Sequence, residues 1–461
     1  MKHLSRIAIS AFFSVAFICC SKHDVITDPV PADSLGIINR WVLDSMRRYY
    51  YWGDKMPARP DYSLPTDQFF ASLLSDQDRY SWIANGRDVI SPSTTYFTYG
   101  FQYALVKATG YQGYIGVVSL VNAGGGADAA GLQRGSYFTR VNGVDINDGN
   151  MNTVIKQLKT GSQVTLTPAT YTNNTWTAQQ AITIKKRYSA ENAVRLVRTF
   201  SAGGIVTGYL FYNSFDEYYD ASLLQAFGKL KQANVNELII DLRYNAGGSV
   251  PSCAKLCAMI AKNITADGAF VIYKGNSHEG TKPRSTQAVL NTSGNATGRQ
   301  FNDLLPYRLS LQRVFILTTG ATLSASELLV NNLKPFVEVV QVGETTAGKD
   351  EASLLVEDQH TPRKVEWKIQ PIIYKLFNKD NQGGYDKGIA PQQAVSDMAQ
   401  VPLYPFGSVQ DPLVNSALQK IYGNNLPDTF RNLRSSITAL PVIPVYRSAE
   451  QQYVSQWELK N

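Results

Sequence analysis

The chain has 461 residues, 44% of them hydrophobic, enough apolar surface to bury a large core in two or three domains. Lys and Arg outnumber Asp and Glu by 44 to 37, and the resulting +7 is modest at this length. No basic stripe with interleaved aromatics occurs, which argues against nucleic-acid binding, and Cys253 and Cys257 have no Cys or His neighbours with which to complete a zinc site, so neither metal nor cofactor is expected.

In chain order, Lys2, His3 and Arg6 precede an apolar run, residues 7–18, that is too short for a comfortable membrane span. This predicts a signal peptide over residues 1–20. The run stops at Cys19-Cys20-Ser21-Lys22, which resembles a lipoprotein leader of the Bacteroides group, with Phe17 where Leu is usual. The resemblance implies lipid attachment at Cys20 and a place in the cell envelope, on the outer membrane or cell surface, with the lipid as sole membrane contact; the alternative is a cleaved, soluble secreted protein. Residues 21–35 read as a Pro/Asp/Val-rich tether.

Residues 36–95 predict a small helical module. A helix begins near Ile37 and carries Trp41, Tyr49, Tyr50, Tyr51 and Trp52, an aromatic stripe read as core packing. A second helix is expected over residues 66–74, with Thr66 as N-cap after Pro65. Residues 96–186 then change to short β-runs, at 101–106, 114–120, 137–141, 163–168 and 181–186. Between them, Ala127-Asp128-Ala129-Ala130-Gly131-Leu132-Gln133-Arg134-Gly135 and Val141-Asn142-Gly143 resemble the signatures of a PDZ domain, with Ser136 in place of the usual aspartate. That resemblance implies a groove helix over residues 152–159 and a carboxylate-catching loop at Tyr99-Gly100-Phe101, where a peptide C-terminus would pair as an added strand. The alternative is a PDZ fold that only packs against or gates its neighbour.

From residue 187 to about 410, strands at 208–212, 235–242, 313–318 and 337–342 alternate with helices at 219–233 and 326–333, predicting a layered α/β domain. Ser324 lies in a Thr/Gly-rich turn at a helix start, where free N–H groups and the positive dipole end tolerate an alkoxide and the oxyanion it creates. Lys349 closes a Gly-rich turn after the next strand, and in a parallel sheet the two strand ends lie side by side. His278 and His360 sit in polar, loop-like sequence with no obvious carboxylate partner, so Lys349 is the better candidate base. To serve near neutrality its pKa must fall roughly 3 units from ~10.4, or about 4 kcal/mol of desolvation and positive-field effects.

Ser324-Ala325-Ser326-Glu327, the later Gly348-Lys349, and Asp241-Leu242-Arg243-Tyr244-Asn245-Ala246-Gly247-Gly248 together resemble the serine–lysine site of the C-terminal processing peptidases, also called tail-specific proteases. The resemblance runs over roughly residues 36–400. It implies a layered α/β (ClpP/crotonase-like) protease domain at residues 187–410, beside a β-rich PDZ domain and the helical N-terminal module. It also implies Ser324 as nucleophile, a neutral Lys349 as base, and an oxyanion hole made by the Gly247 and Ala325 N–H groups. Many members carry Gln four residues after the lysine to orient it; Ser353 stands there instead as a candidate. Expected partners are proteins or peptides with exposed C-termini. The alternative from another class is a non-catalytic, surface-anchored peptide-binding protein. For residues 411–461, a tail with Pro427, Pro441 and Pro444, no element is predicted.

Overall fold

A computed structural model describes residues 34–86, 95–425 and 439–450; Cys20, the leader and almost all of the tether lie outside them. The N-terminal module consists of helices α1 (Ser34–Tyr49) and α2 (Thr66–Ser72). Val42, Leu43 and Met46 on the inner side of α1 pack with Tyr50, Trp52, Phe69 and Phe70, and Trp41 and Tyr51 lie partly buried against them, so all of the aromatic stripe but Tyr49 joins the core; the same cluster takes in Ile369 and Ile372 from much later in the chain. Thr66 is not the cap: Pro65, with ψ 146°, stands at that position, and Thr66 is the buried first residue of the helix.

The β-rich module holds antiparallel strands β1 (Phe101–Ala108), β2 (Ile115–Val121) and β3 (Tyr137–Val141), then α3 (Met151–Lys159) and β4 (Gln163–Thr172). Val154 and Leu158, one turn apart on α3, close a core with Leu105, Val118, Phe138 and Leu166 from the sheet.

The larger sheet runs β5 (Val194–Ala202), β6 (Ile205–Tyr212), β7 (Glu237–Asp241), β8 (Arg313–Thr318), β9 (Glu338–Gly343) and β10 (Gln393–Ala394) in spatial order, all parallel from β6 onward. β7 and β8 are apolar and buried along nearly their whole length, as parallel strands covered on both faces must be. On one face lie α4 (Asp220–Gln232), α5 (Val250–Ile260) and α6 (Ala325–Leu333), through Leu223, Phe227, Cys253, Cys257, Leu328 and Leu329. The two cysteines are thus buried core thiols. The other face is covered by α7 (Pro412–Tyr422), through Leu413, Val414, Ala417, Leu418 and Ile421. Asp411 caps it, accepting from the N–H groups of Leu413 and Val414, with Pro412 at the first helical position.

The domain is therefore layered α/β, and its third layer comes from the stretch in which no element was expected. The chain end also completes the β-rich module: β11 (Leu440–Arg447) pairs antiparallel with β1, Val442 opposite Ala108 and Arg447 opposite Ala104, while residues 400–401 pair with β11.

Candidate active site

β8 and β9 run in parallel with Thr318 opposite Gly343, so the turns that leave them emerge together at one sheet edge. The first carries Ser324, the one residue from Ala321 to Leu333 that is not buried. Its backbone is strained, at φ 58° and ψ −114°, a geometry that costs a side-chain-bearing residue on the order of 1–3 kcal/mol. Three bonds offset it. Leu323 N–H donates to the Asn245 carbonyl (3.1 Å), Leu328 N–H to the Ser324 carbonyl (2.8 Å), and Ser324 N–H to Glu327 Oε2 (2.9 Å).

Glu327 holds both turns. Its Oε2 accepts from the Lys349 N–H (2.8 Å) as well as from Ser324, and its Oε1 accepts from the Gly348 N–H (2.7 Å) and the Thr346 hydroxyl (2.5 Å). One buried carboxylate thereby fixes the backbone of the candidate nucleophile against that of the candidate base. Burial pushes its pKa up against the pull of these donors. Reading the sequence missed this role, although a Glu three residues after a Ser at a helix start is the signal of a reciprocal cap.

The Lys349 amine lies 4.7 Å from the centre of the Tyr80 ring. Burial lowers its pKa below the ordinary lysine range, while the charges of Glu351, Asp78 and Glu327 push the other way. Glu351 itself is pushed up to about 7, chiefly by burial. No direct hydrogen bond joins Ser324 Oγ to Lys349 Nζ; catalytic bonds of this kind commonly tighten only around substrate. Ser353 makes none to Lys349 either: its Oγ accepts from Gln370 Nε2 at 2.7 Å, a partner that nothing in the sequence announced.

The Gly-Gly turn after β7 presses against the serine turn. Gly247 has φ +93°, and a Cβ there would stand 2.8 Å from Ala325 N and 2.6 Å from the Leu323 carbonyl, so only glycine fits. The expected oxyanion donor is nonetheless not free. Gly247 N–H donates to Asn245 Oδ1 at 2.8 Å, because the side chain two residues back folds over the turn. Ala325 N–H, at the start of α6, is among the amides that have no acceptor inside the helix.

Behind this turn lies a buried charge cluster. Arg243, fully buried, donates to Asp241, Asp397 (2.6 Å) and Asp411 (2.8 Å). Arg134 reaches in from the β-rich module to Asp397 (3.0 Å) and to the Tyr244 hydroxyl (2.9 Å).

In the expected peptide loop the Gly100 amide is also taken. Gly100 N–H donates to Thr98 Oγ1 (3.1 Å), the Gly100 carbonyl accepts from Asn122, and the buried Tyr99 donates its hydroxyl to the Thr160 carbonyl (2.6 Å), while Phe101 opens β1. Of the histidines, His360 does have a carboxylate partner, Asp358, contrary to expectation; the pair is local to one loop, and the imidazole is 60% exposed.

Comparison with known proteins bears on the whole arrangement. Residues 206–395 match Peptidase family S41, and residues 37–82 match the Peptidase S41 N-terminal domain. The chloroplastic carboxyl-terminal-processing peptidase 1 of Arabidopsis thaliana is 25% identical over 224 residues, 48% of this chain and 41% of its own. The carboxy-terminal processing protease CtpB of Bacillus subtilis is 22% identical over 275 residues, 58% of this chain and 50% of its own. The chain thus spans about half the length of the curated relatives it matches. A crystal structure described as an S41 protease from Bacteroides fragilis is similar with a TM-score of 0.66 and 26% identity, covering 83% of this chain and 97% of that one. The helical N-terminal segment and the parallel-sheet domain that carries Ser324 and Lys349 are both matched, so the chain belongs to peptidase family S41.

Proposed function

We propose that the chain is a serine endopeptidase acting on proteins or peptides with exposed C-termini, through Ser324 and Lys349. Ser324 Oγ attacks a peptide carbonyl; the neutral Lys349 amine takes the hydroxyl proton and returns it to the leaving amine, leaving an acyl-enzyme that water hydrolyses. Ala325 N–H supplies one donor to the oxyanion, worth on the order of 3 kcal/mol. The Gly247 amide becomes a second donor when it exchanges Asn245 Oδ1 for the oxyanion. Gln370 donates to Ser353, the residue four after the lysine where the family resemblance implies an orienting side chain.

The observation that carries this reading is the Glu327 carboxylate, which binds the Ser324 and Lys349 amides with the same oxygen. The leader adds a location: lipid-anchored through Cys20 at the cell envelope. The deciding experiment is turnover of an internally quenched peptide by purified wild type and Ser324→Ala. A folded but inactive alanine variant is expected. Full turnover by that variant would end the peptidase assignment at this site and leave the peptide-binding alternative.

A further inference from the structure

Residues 78–81 come from the N-terminal module and end on the loop that carries Lys349. Asp78 Oδ1 accepts from the N–H groups of Tyr80 (2.9 Å) and Ser81 (2.9 Å), folding the segment into a tight turn. Ser81 Oγ accepts from Ile372 N–H at 2.8 Å, tying the turn to the protease domain. The exposed Arg79 donates to the Gly348 carbonyl and to that of Asp386 (2.8 Å), and the Tyr80 hydroxyl reaches the same Gly348 carbonyl at 3.3 Å. Each of these bonds to the protease domain ends on main chain, and those of Arg79 and Tyr80 converge on the carbonyl next to Lys349. Their joint effect is to set the half-buried Tyr80 ring over the Lys349 amine, 4.7 Å from its centre.

We infer that Tyr80 is a positioning residue for the base: its ring walls the Lys349 amine off from water and so keeps a proton acceptor available, which makes the N-terminal module part of the active site. This rests on Lys349 being the base. A ring face also attracts an ammonium, but that effect is small beside desolvation, which can lower a buried lysine by about 3–5 pH units. The carboxylates of Glu351, Asp78 and Glu327 all favour the charged amine, so exclusion of water has to prevail over three opposing groups.

The test is the pH dependence of kcat and KM for the full chain, comparing wild type with Tyr80→Phe, Tyr80→Ala and Arg79→Ala on one quenched peptide. Tyr80→Phe keeps the ring and is expected to keep the acid limb in place. Tyr80→Ala admits water, so the limb should move up by about one pH unit, with kcat down on the order of tenfold on the acid side of the limb, recovering on its alkaline side, and KM little changed. Arg79→Ala, which loosens the anchor at an exposed position, should shift the limb less but in the same direction, and serves if Tyr80→Ala fails to fold. A uniform loss at every pH, or an unmoved limb in both variants, overturns the inference and leaves Tyr80 as packing. Lys349→Ala separates the two readings: if it keeps turnover, the base assignment has failed; if it is inactive while the limb stays put, only the role of Tyr80 has.

Discussion

The two regions expected to handle substrate are built in opposite ways. At the ends of β8 and β9, Glu327 joins Ser324, three residues before it, to Thr346, Gly348 and Lys349, about twenty residues after it, so the candidate dyad is held by a unit that is short in sequence. At the edge of the β-rich module, β1 is completed by β11, and the Tyr103 N–H donates to a serine 345 positions further on. A local unit can be read from spacing. A surface finished by a remote segment cannot, and the peptide groove inferred from the Tyr99-Gly100-Phe101 loop is the case in point.

The sharpest way to break the first half of this comparison is at the dyad. Ser324→Ala and Lys349→Ala should each lower kcat by roughly 10⁴-fold or more with the thermal midpoint unchanged. Lys349→Arg should be as damaging as Lys349→Ala, because a guanidinium stays charged and cannot accept the serine proton. In wild type, kcat should rise as pH passes upward through the lowered pKa of Lys349, since only the neutral amine accepts a proton. His278→Ala and His360→Ala should leave the profile where it is; loss of rate in either, with Lys349→Arg still active, would move the base to histidine.

How far the sequence could be read follows from the same contrast. Strands 313–318 and 337–342 and the helix between them were legible because apolar runs, a Thr/Gly turn and helical spacing all agree, and β8, α6 and β9 lie within a residue or two of those limits. Helix α7 was also written in the sequence, as Asp411-Pro412 followed by Leu413, Val414, Ala417, Leu418 and Ile421 at helical spacing, but Pro427, Pro441 and Pro444 further on give the tail as a whole an irregular composition. Strand β11 was harder to see, because Pro441 and Pro444 demote a run that survives as a late addition to a sheet edge. The capture of the Gly247 amide by Asn245 depends on one side-chain rotamer, which no spacing encodes.

The charge cluster behind the Gly-Gly turn couples the two regions, since Arg243 and Arg134 share Asp397. Arg243→Met leaves Asp241, Asp397 and Asp411 buried around an apolar group, and should cost about 3–5 kcal/mol of stability in chemical denaturation. A loss below 1 kcal/mol would mean that the cluster is not structural. Glu327→Gln is the subtler probe. The amide nitrogen cannot accept, so two of four bonds go, and kcat should fall on the order of 10²-fold through misplacement of the dyad. Faster hydrogen exchange at the Gly348 and Lys349 amides should accompany it; unchanged exchange with unchanged kcat would remove Glu327 from the site.

The smallest effect concerns the groove. Deleting residues 96–186 is a poor test, because it would strand β11 and leave Asp397 without Arg134. Crosslinking is better: Ile443 and Lys107 face each other across β11 and β1 and both are exposed, and opposed residues of an antiparallel pair lie about 4.5–5.5 Å apart, within disulfide reach. If substrate tails enter as a strand on β1, β11 has to leave. An Ile443→Cys/Lys107→Cys enzyme, oxidised, should then cleave substrates with free apolar C-termini roughly 3- to 10-fold more slowly, an effect worth about 1 kcal/mol, while short generic peptides are cleaved at the usual rate. Reduction should restore the difference. Equal rates on both substrates in the oxidised enzyme would show that β11 is a permanent part of the sheet and that the module only packs.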